Sequence, residues 1–160
     1  MDIILLVIGI IAIVFGCLYY MDRKHDREVI DIVVEFLEHS IKDVDYITIS
    51  SYLYGYSIEG WYKNRRYDIN WDSDGMSVIM SYKYESKLLN SEKTPQTKCR
   101  FEVSDRKNFK RVRELMYLYD RRHIYMDDEI IQDDVEIEKL RYTGENAKEQ
   151  LIKDIIKELK

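Results

Sequence analysis

The sequence predicts an α+β protein: an N-terminal single transmembrane helix, then a small domain with an antiparallel meander of about four to five strands packed against two or three amphipathic helices. Three observations predict it. An uncharged apolar run fills Ile3 to Tyr20, residues 28 to 44 repeat apolar side chains at helical spacing, and from Tyr46 to Val103 the period drops to two between turn residues. The chain divides accordingly into an anchor at 1–21, a membrane-proximal amphipathic helix at 22–44 and a soluble α+β domain at 45–160.

Twelve of the eighteen residues from Ile3 to Tyr20 are Ile, Leu, Val or Phe, and none is charged. As a helix the run covers about 27 Å, close to one hydrocarbon thickness. At about −0.3 to −0.6 kcal/mol per such residue, the twelve contribute at most roughly −4 to −7 kcal/mol towards insertion. Tyr19 and Tyr20 stand where amphipathic rings prefer the headgroup layer, and the charged stretch Asp22-Arg23-Lys24-His25-Asp26 follows. A cleaved secretory signal fits less well, because residues 1 to 7 contain no Lys or Arg and Cys17-Leu18-Tyr19-Tyr20 offers no small-x-small site. Ile13-Val14-Phe15-Gly16-Cys17 resembles a lipobox, but Phe15 sits where a smaller residue is usual. A buried core helix is a weaker expectation still, given the run's length and its lack of any polar face.

Basic residues are preferentially retained on the cytoplasmic side, and none precedes the run, whereas Arg23, Lys24 and Arg27 follow it. The expectation is a signal-anchored, single-pass cell-membrane protein with its N-terminus outside and residues 21 to 160 in the cytoplasm. The two cysteines, Cys17 and Cys99, are too differently placed to predict a bridge, and no Asn-x-Ser/Thr acceptor occurs. Within the span, Gly9, Ala12 and Gly16 lie on nearly one face and would let two helices approach, which makes self-association an expectation to test.

About 140 residues beyond the span suit one domain. A net charge of −5, 34% charged residues, a single Pro and no repeat or Ser/Gly-rich tract describe one compact unit without a linker. Fourteen tyrosines against four phenylalanines point to a sheet with polar-tipped aromatics.

Ile30, Val33, Val34, Leu37, Ile41 and Val44 form the apolar stripe of the membrane-proximal helix, with Glu35, Glu38 and Lys42 opposite. No Gly or Pro separates it from the span, so it either continues the same helix or folds back under a short turn. Next, Ile47, Ile49 and Leu53 alternate with Tyr46, Thr48, Tyr52, Tyr54 and Tyr56, Gly55 and Gly60 suggest bends, and Lys63 to Arg66 reads as a turn. Tyr67, Ile69 and Trp71 alternate with Asp68, Asn70 and Asp72. Ser73-Asp74-Gly75 closes a hairpin whose return strand carries Met76, Val78, Met80, Tyr82 and Tyr84. After a polar loop through Pro95 come Cys99, Phe101 and Val103. Ser104 or Asp105 caps a helix bearing Phe109, Val112, Leu115, Met116 and Tyr119. Residues 134 to 142 read as a further strand, and Thr143-Gly144 precedes a final helix with Leu151, Ile152, Ile155, Ile156 and Leu159 on one face.

Four constellations are candidates for function. The aromatic set Tyr46, Tyr52, Tyr54 and Tyr56, with Trp61 at its edge, offers rigid contact area for a protein partner. The basic set Arg106, Lys107, Lys110, Arg111, Arg113, Arg121 and Arg122 outnumbers Asp105, Glu114 and Asp120, leaving a local +4 within reach of an anionic inner leaflet. Nucleic acid is the weaker expectation for these cations, because the acidic stretch Asp127 to Glu138 is their nearest neighbour in sequence. Asp68-x-Asn70-x-Asp72-x-Asp74-Gly75 resembles the start of a calcium loop, but counting from Asn70 the twelfth position is Ser81, where a bidentate Glu belongs. A hairpin with a polar outer face explains the same residues. Finally, Asp127, Asp128 and Glu129 near Arg121, Arg122 and His123 are the carboxylates that a metal-dependent hydrolase would use. His25, His39 and His123 show no metal-ligand spacing, no phosphate loop or nucleophile elbow is present, and no cofactor is implied. The leading expectation is a membrane-anchored interaction or scaffold module, with a tethered hydrolase and an envelope-facing binding protein as alternatives.

Overall fold

The structure, a computed structural model, describes residues 2–83, 96–120 and 142–160. Helix α1 spans Asp2–Ser40 without a break. Of the two geometries the sequence allows, the straight continuation forms, because no Gly or Pro interrupts residues 17 to 40. Its apolar 18-residue window has mean hydropathy 2.7 and is wholly exposed, so α1 is long and apolar enough to cross a membrane. Below that window the same helix turns soluble. Val29, Ile30, Val33, Val34, Phe36 and Leu37 are each at most 8% exposed and enter the domain core. The helix ends at Ser40, whose hydroxyl donates back to the Phe36 carbonyl at 2.8 Å, four residues short of the stop expected at Val44.

A 3-10 turn at Val44–Tyr46 leads into five strands: β1 (Ile47–Tyr52), β2 (Gly55–Tyr62), β3 (Arg65–Asp72), β4 (Gly75–Lys83) and β5 (Gln96–Ser104). They form one antiparallel meander in the order β1-β2-β3-β4-β5. Helices α2 (Lys107–Asp120) and α3 (Ala147–Leu159) follow. The α+β architecture expected from the sequence is present, but the fifth strand arises in a different place. The bend expected at Gly55 is a full reversal: the chain folds back at Leu53-Tyr54, pairing Tyr52 with Gly55 and Ile49 with Ile58, whereas Gly60 runs on inside β2. The strand expected at 134–142 falls outside the described residues except for Tyr142, which is a buried turn residue.

The turns follow their chemistry. Lys63 and Asn64 both take positive φ (49° and 60°) between β2 and β3, the two-residue geometry that matches strand twist. Between β3 and β4, Asp72 Oδ1 accepts the Asp74 and Gly75 amides at 2.8 and 3.1 Å, and Gly75 takes φ 141° where a Cβ would stand 2.1 Å from the Val103 carbonyl oxygen.

All three helices cover one sheet face, so alternate strand residues such as Ile47, Ile58, Ile69, Trp71 and Val78 are at most 3% exposed. Helix α1 crosses that face diagonally. Asp26 meets Arg106 just beyond the end of β5, the Phe36 ring stacks on Tyr67 at 4.7 Å, and the His39 ring lies 4.4 Å from Tyr62 of β2. Helix α3 docks its Leu151, Ile152, Ile155, Ile156 and Leu159 stripe into the same core. Its buried Asp154 accepts the Tyr142 hydroxyl at 2.8 Å and the Gln150 amide at 3.1 Å, which fixes how the chain enters the helix.

Candidate membrane-surface site

Since α1 runs straight from apolar segment to core, simple counting sets the domain's height. Six residues separate Tyr20 from Asp26, a rise of about 9 Å. Asp26 pairs with Arg106, and their side chains are only 17% and 31% exposed. The end of β5 and the first turns of α2 therefore sit beside the point where α1 leaves its apolar stretch. Between them lies an open groove of about 960 Å³, lined on one side by Tyr19, Asp22, Arg23 and Asp26 and on the other by Ser104 to Asn108, Lys110, Arg111 and Glu114, with Glu158 at one wall. A second groove of about 690 Å³ adjoins it, sharing Arg23, Arg106, Asn108 and Glu158, and adds Lys24, Arg27 and Lys160.

The structure sorts the predicted basic set by occupation. Arg106 is held by Asp26. Arg113 donates to Asp105 Oδ1 at 2.8 Å and also to the Asp72 carbonyl, locking α2 over the β3–β4 turn. That guanidinium holds the Asp105 carboxyl below its ordinary value. Arg111 meets Glu114 at 3.2 Å. Lys107 and Lys110 are exposed and make no ion pair among the described residues, while the Arg23 guanidinium lies 5.1 Å above the Tyr19 ring. Arg121 and Arg122 lie outside the described residues, as do His123, Asp127, Asp128, Glu129 and the rest of the acidic stretch.

The aromatic set is not brought to one face. The β1–β2 hairpin puts Tyr52 on the open face, Tyr54 at the tip and Tyr56 beneath α2, where it lines a groove of about 560 Å³ with Tyr117 and Leu118. Trp61 and Tyr46 stand at the other end of the same hairpin. Tyr46 and Tyr54 are each 73% exposed, and Leu53, which the alternating pattern assigned to the core, is 84% exposed. Strand β1 pairs only with β2 among the described residues. Burial, with Asp72 and Asp68 adding to it, raises the Tyr52 phenol above its ordinary value.

Asp68, Asn70 and Asp72 are alternate residues of β3, all on its open face, rather than a loop wrapped around one point. Asn70 donates to Asp68 at 2.9 Å, and Asp72 is occupied by the turn amides before Asp74. The run is thus a strand and hairpin turn. Among the described residues no three His, Cys, Asp or Glu side chains gather as metal ligands do. Burial, reinforced by Glu59, pushes the Asp68 carboxyl up. At the distant end of the sheet, Glu35 accepts from Tyr62 and Lys63, both at 2.9 Å; the Lys63 bond above all lowers the Glu35 carboxyl, and the same bond raises the Lys63 ammonium.

Gly9, Ala12 and Gly16 lie on the exposed part of α1, and no atom comes within 4 Å of a Cβ placed at either glycine. No protein-family model, curated protein or solved structure matches this chain.

Proposed function

We propose that this chain is a single-pass, membrane-anchored interaction module, with its N-terminus outside and its α+β domain held at the cytoplasmic surface to dock a protein partner on the β1–β2 hairpin. The observation that carries this reading is the continuity of α1 from an exposed apolar stretch into the core of the domain. An anchor joined by a flexible linker lets a domain sample all orientations; one that is also a core helix presents the same face at the same height. The partner surface is supported by Leu53 and Tyr54 at the hairpin tip and by Tyr46 and Trp61 at its other end, all exposed large side chains on an edge hairpin. The orientation rests on Arg23, Lys24 and Arg27 following the apolar run.

Two measurements test it. Alkaline extraction of membranes should leave the full chain in the pellet, and an impermeant thiol reagent should label Cys99 only after cells are opened and the protein unfolded. Extraction into the supernatant would end the anchored reading, and labelling in intact cells would reverse the orientation. For the partner surface, a triple Tyr52→Ser, Leu53→Ser, Tyr54→Ser variant should keep the fold and lose specific partner capture from detergent extracts.

A further inference from the structure

We infer that the groove between α1 and the first two turns of α2 is a headgroup site for one anionic phospholipid, with Lys107, Lys110 and Arg23 contacting its phosphate. The inference rests on the anchored reading above and adds to it a ligand, a place and a residue set.

Height is the first argument. Tyr19 lines the groove, so the groove opens at the level where an interfacial tyrosine meets headgroups. The second argument is charge, sorted by pairing. Three of the groove's carboxylates are already held by arginines: Asp26 by Arg106, Asp105 by Arg113 and Glu114 by Arg111. The lining itself carries five cations and five carboxylates; with Arg113, which holds Asp105 from outside the lining, counted in, Arg23, Lys107 and Lys110 stand against the remaining Asp22 and Glu158, an excess of one positive charge. A phospholipid with a net charge of −1 neutralises that excess; a zwitterionic one leaves it in place. The third is direction. The 14-residue α2 points its N-terminal, positive end into the same groove, and Lys107 and Lys110 are one turn apart on that side. Arg106, Arg111 and Arg113, although part of the same basic run, are structural cations. The residues that touch lipid are the two lysines and Arg23, which precedes α2 by more than eighty positions.

The test uses the full chain in nanodiscs of phosphatidylcholine alone or of equal parts phosphatidylcholine and phosphatidylglycerol. Amide hydrogen exchange is read over residues 107 to 111, and retained lipid is counted by native mass spectrometry. Exchange there should slow severalfold only in the phosphatidylglycerol discs, with one such lipid retained. Lys107→Gln with Lys110→Gln should cut the preference about tenfold or more. Lys153→Gln with Lys157→Gln, the same charge change on an exposed face of α3, should leave it intact. Equal loss in both double variants, or equal slowing in phosphatidylcholine alone, would overturn the site while leaving the anchor standing. In neutral detergent, slowing by inorganic phosphate to the same extent would reassign the groove to free anions, and slowing by a short oligonucleotide would reassign it to nucleic acid. A chain that fails to enter discs at all would remove the anchor, and the headgroup site with it.

Discussion

A fragment of residues 22–160 should fold as a soluble body, whereas residues 45–160, the domain as composition alone delimits it, should not. The difference is the lower half of α1. Val29, Ile30, Val33, Val34, Phe36 and Leu37 are each at most 8% exposed in the intact chain. Burial of such side chains is worth about 1.5–3 kcal/mol each, so six give roughly 9–18 kcal/mol. A compact unfolded chain reduces that to roughly 5–16 kcal/mol. Domains of this size are stable by about 5–15 kcal/mol in total, so removing the stripe leaves little or nothing. The assay is urea unfolding followed by near-ultraviolet circular dichroism, to which Trp71, fully buried in this core, contributes. Residues 22–160 should show a cooperative transition, and residues 45–160 a sloping baseline. A cooperative transition in 45–160 within about 2 kcal/mol of the longer fragment would refute the claim that α1 is a core element. In the full chain, Leu37→Ala should cost about 2–5 kcal/mol, the range for deleting a buried leucine side chain.

Gly75→Ala should destabilise by at least about 2 kcal/mol, because φ 141° strains any L side chain and the new Cβ would stand 2.1 Å from the Val103 carbonyl oxygen; a melting shift near zero would refute the turn geometry. Trp71→Phe should change stability by less than about 1.5 kcal/mol, because the buried indole N–H has no hydrogen-bond partner among the described residues, while Trp71→Ala should cost about 3–5 kcal/mol by chemical denaturation. Asp68 has a raised carboxyl in the folded state, so its ionisation opposes folding above that raised value, and this cost vanishes once pH falls below the ordinary carboxylate range. Asp68→Asn should therefore raise the melting temperature at neutral pH and have no effect near pH 3; a gain independent of pH would refute the electrostatic cause.

The sequence made the helical stripes and most strands legible because each buries one side, and burial on one side imposes a period. The stripe of α1, the β3–β4 hairpin at Ser73-Asp74-Gly75 and the α3 stripe were all readable that way. The β1–β2 reversal was legible only as a bend at Gly55. Leu53-Tyr54 contains neither Gly nor Asn, and its apolar leucine continues the odd-numbered pattern of Ile47 and Ile49, so periodicity ran straight through a reversal. Only Gly55 marked the place, and its reason is three-dimensional: a Cβ there would stand 2.0 Å from the Trp71 carbonyl oxygen on the next strand. That single reversal disperses the tyrosines over two faces and a tip. The basic run was equally visible, but which cations were free was not, because Asp26 reaches Arg106 across 80 positions.

Under the anchoring proposed above, the rigid tether would also decide which charges of the protein meet an anionic leaflet. With a net charge of −5, the chain as a whole is repelled. At a surface potential near −30 mV each charge at the surface is worth about 0.7 kcal/mol, so five net negative charges placed there would cost roughly 3.5 kcal/mol. That is comparable with the roughly 4–7 kcal/mol that favours insertion of the span. The potential decays over about 8 Å, however, and strands of eight to nine residues extend the sheet about 27–30 Å. Under the proposed anchoring, only the near end of the domain would feel the membrane. Helix α1 runs unbroken into the core and sets which end that is, and that end carries Arg23, Lys107 and Lys110, and also Asp22, Asp72 and Asp74, outside any ion pair among the described residues. Under the proposed anchoring a flexible linker would average over all faces, whereas the continuous helix would hold one end of the domain, with its mixed charges, at the bilayer.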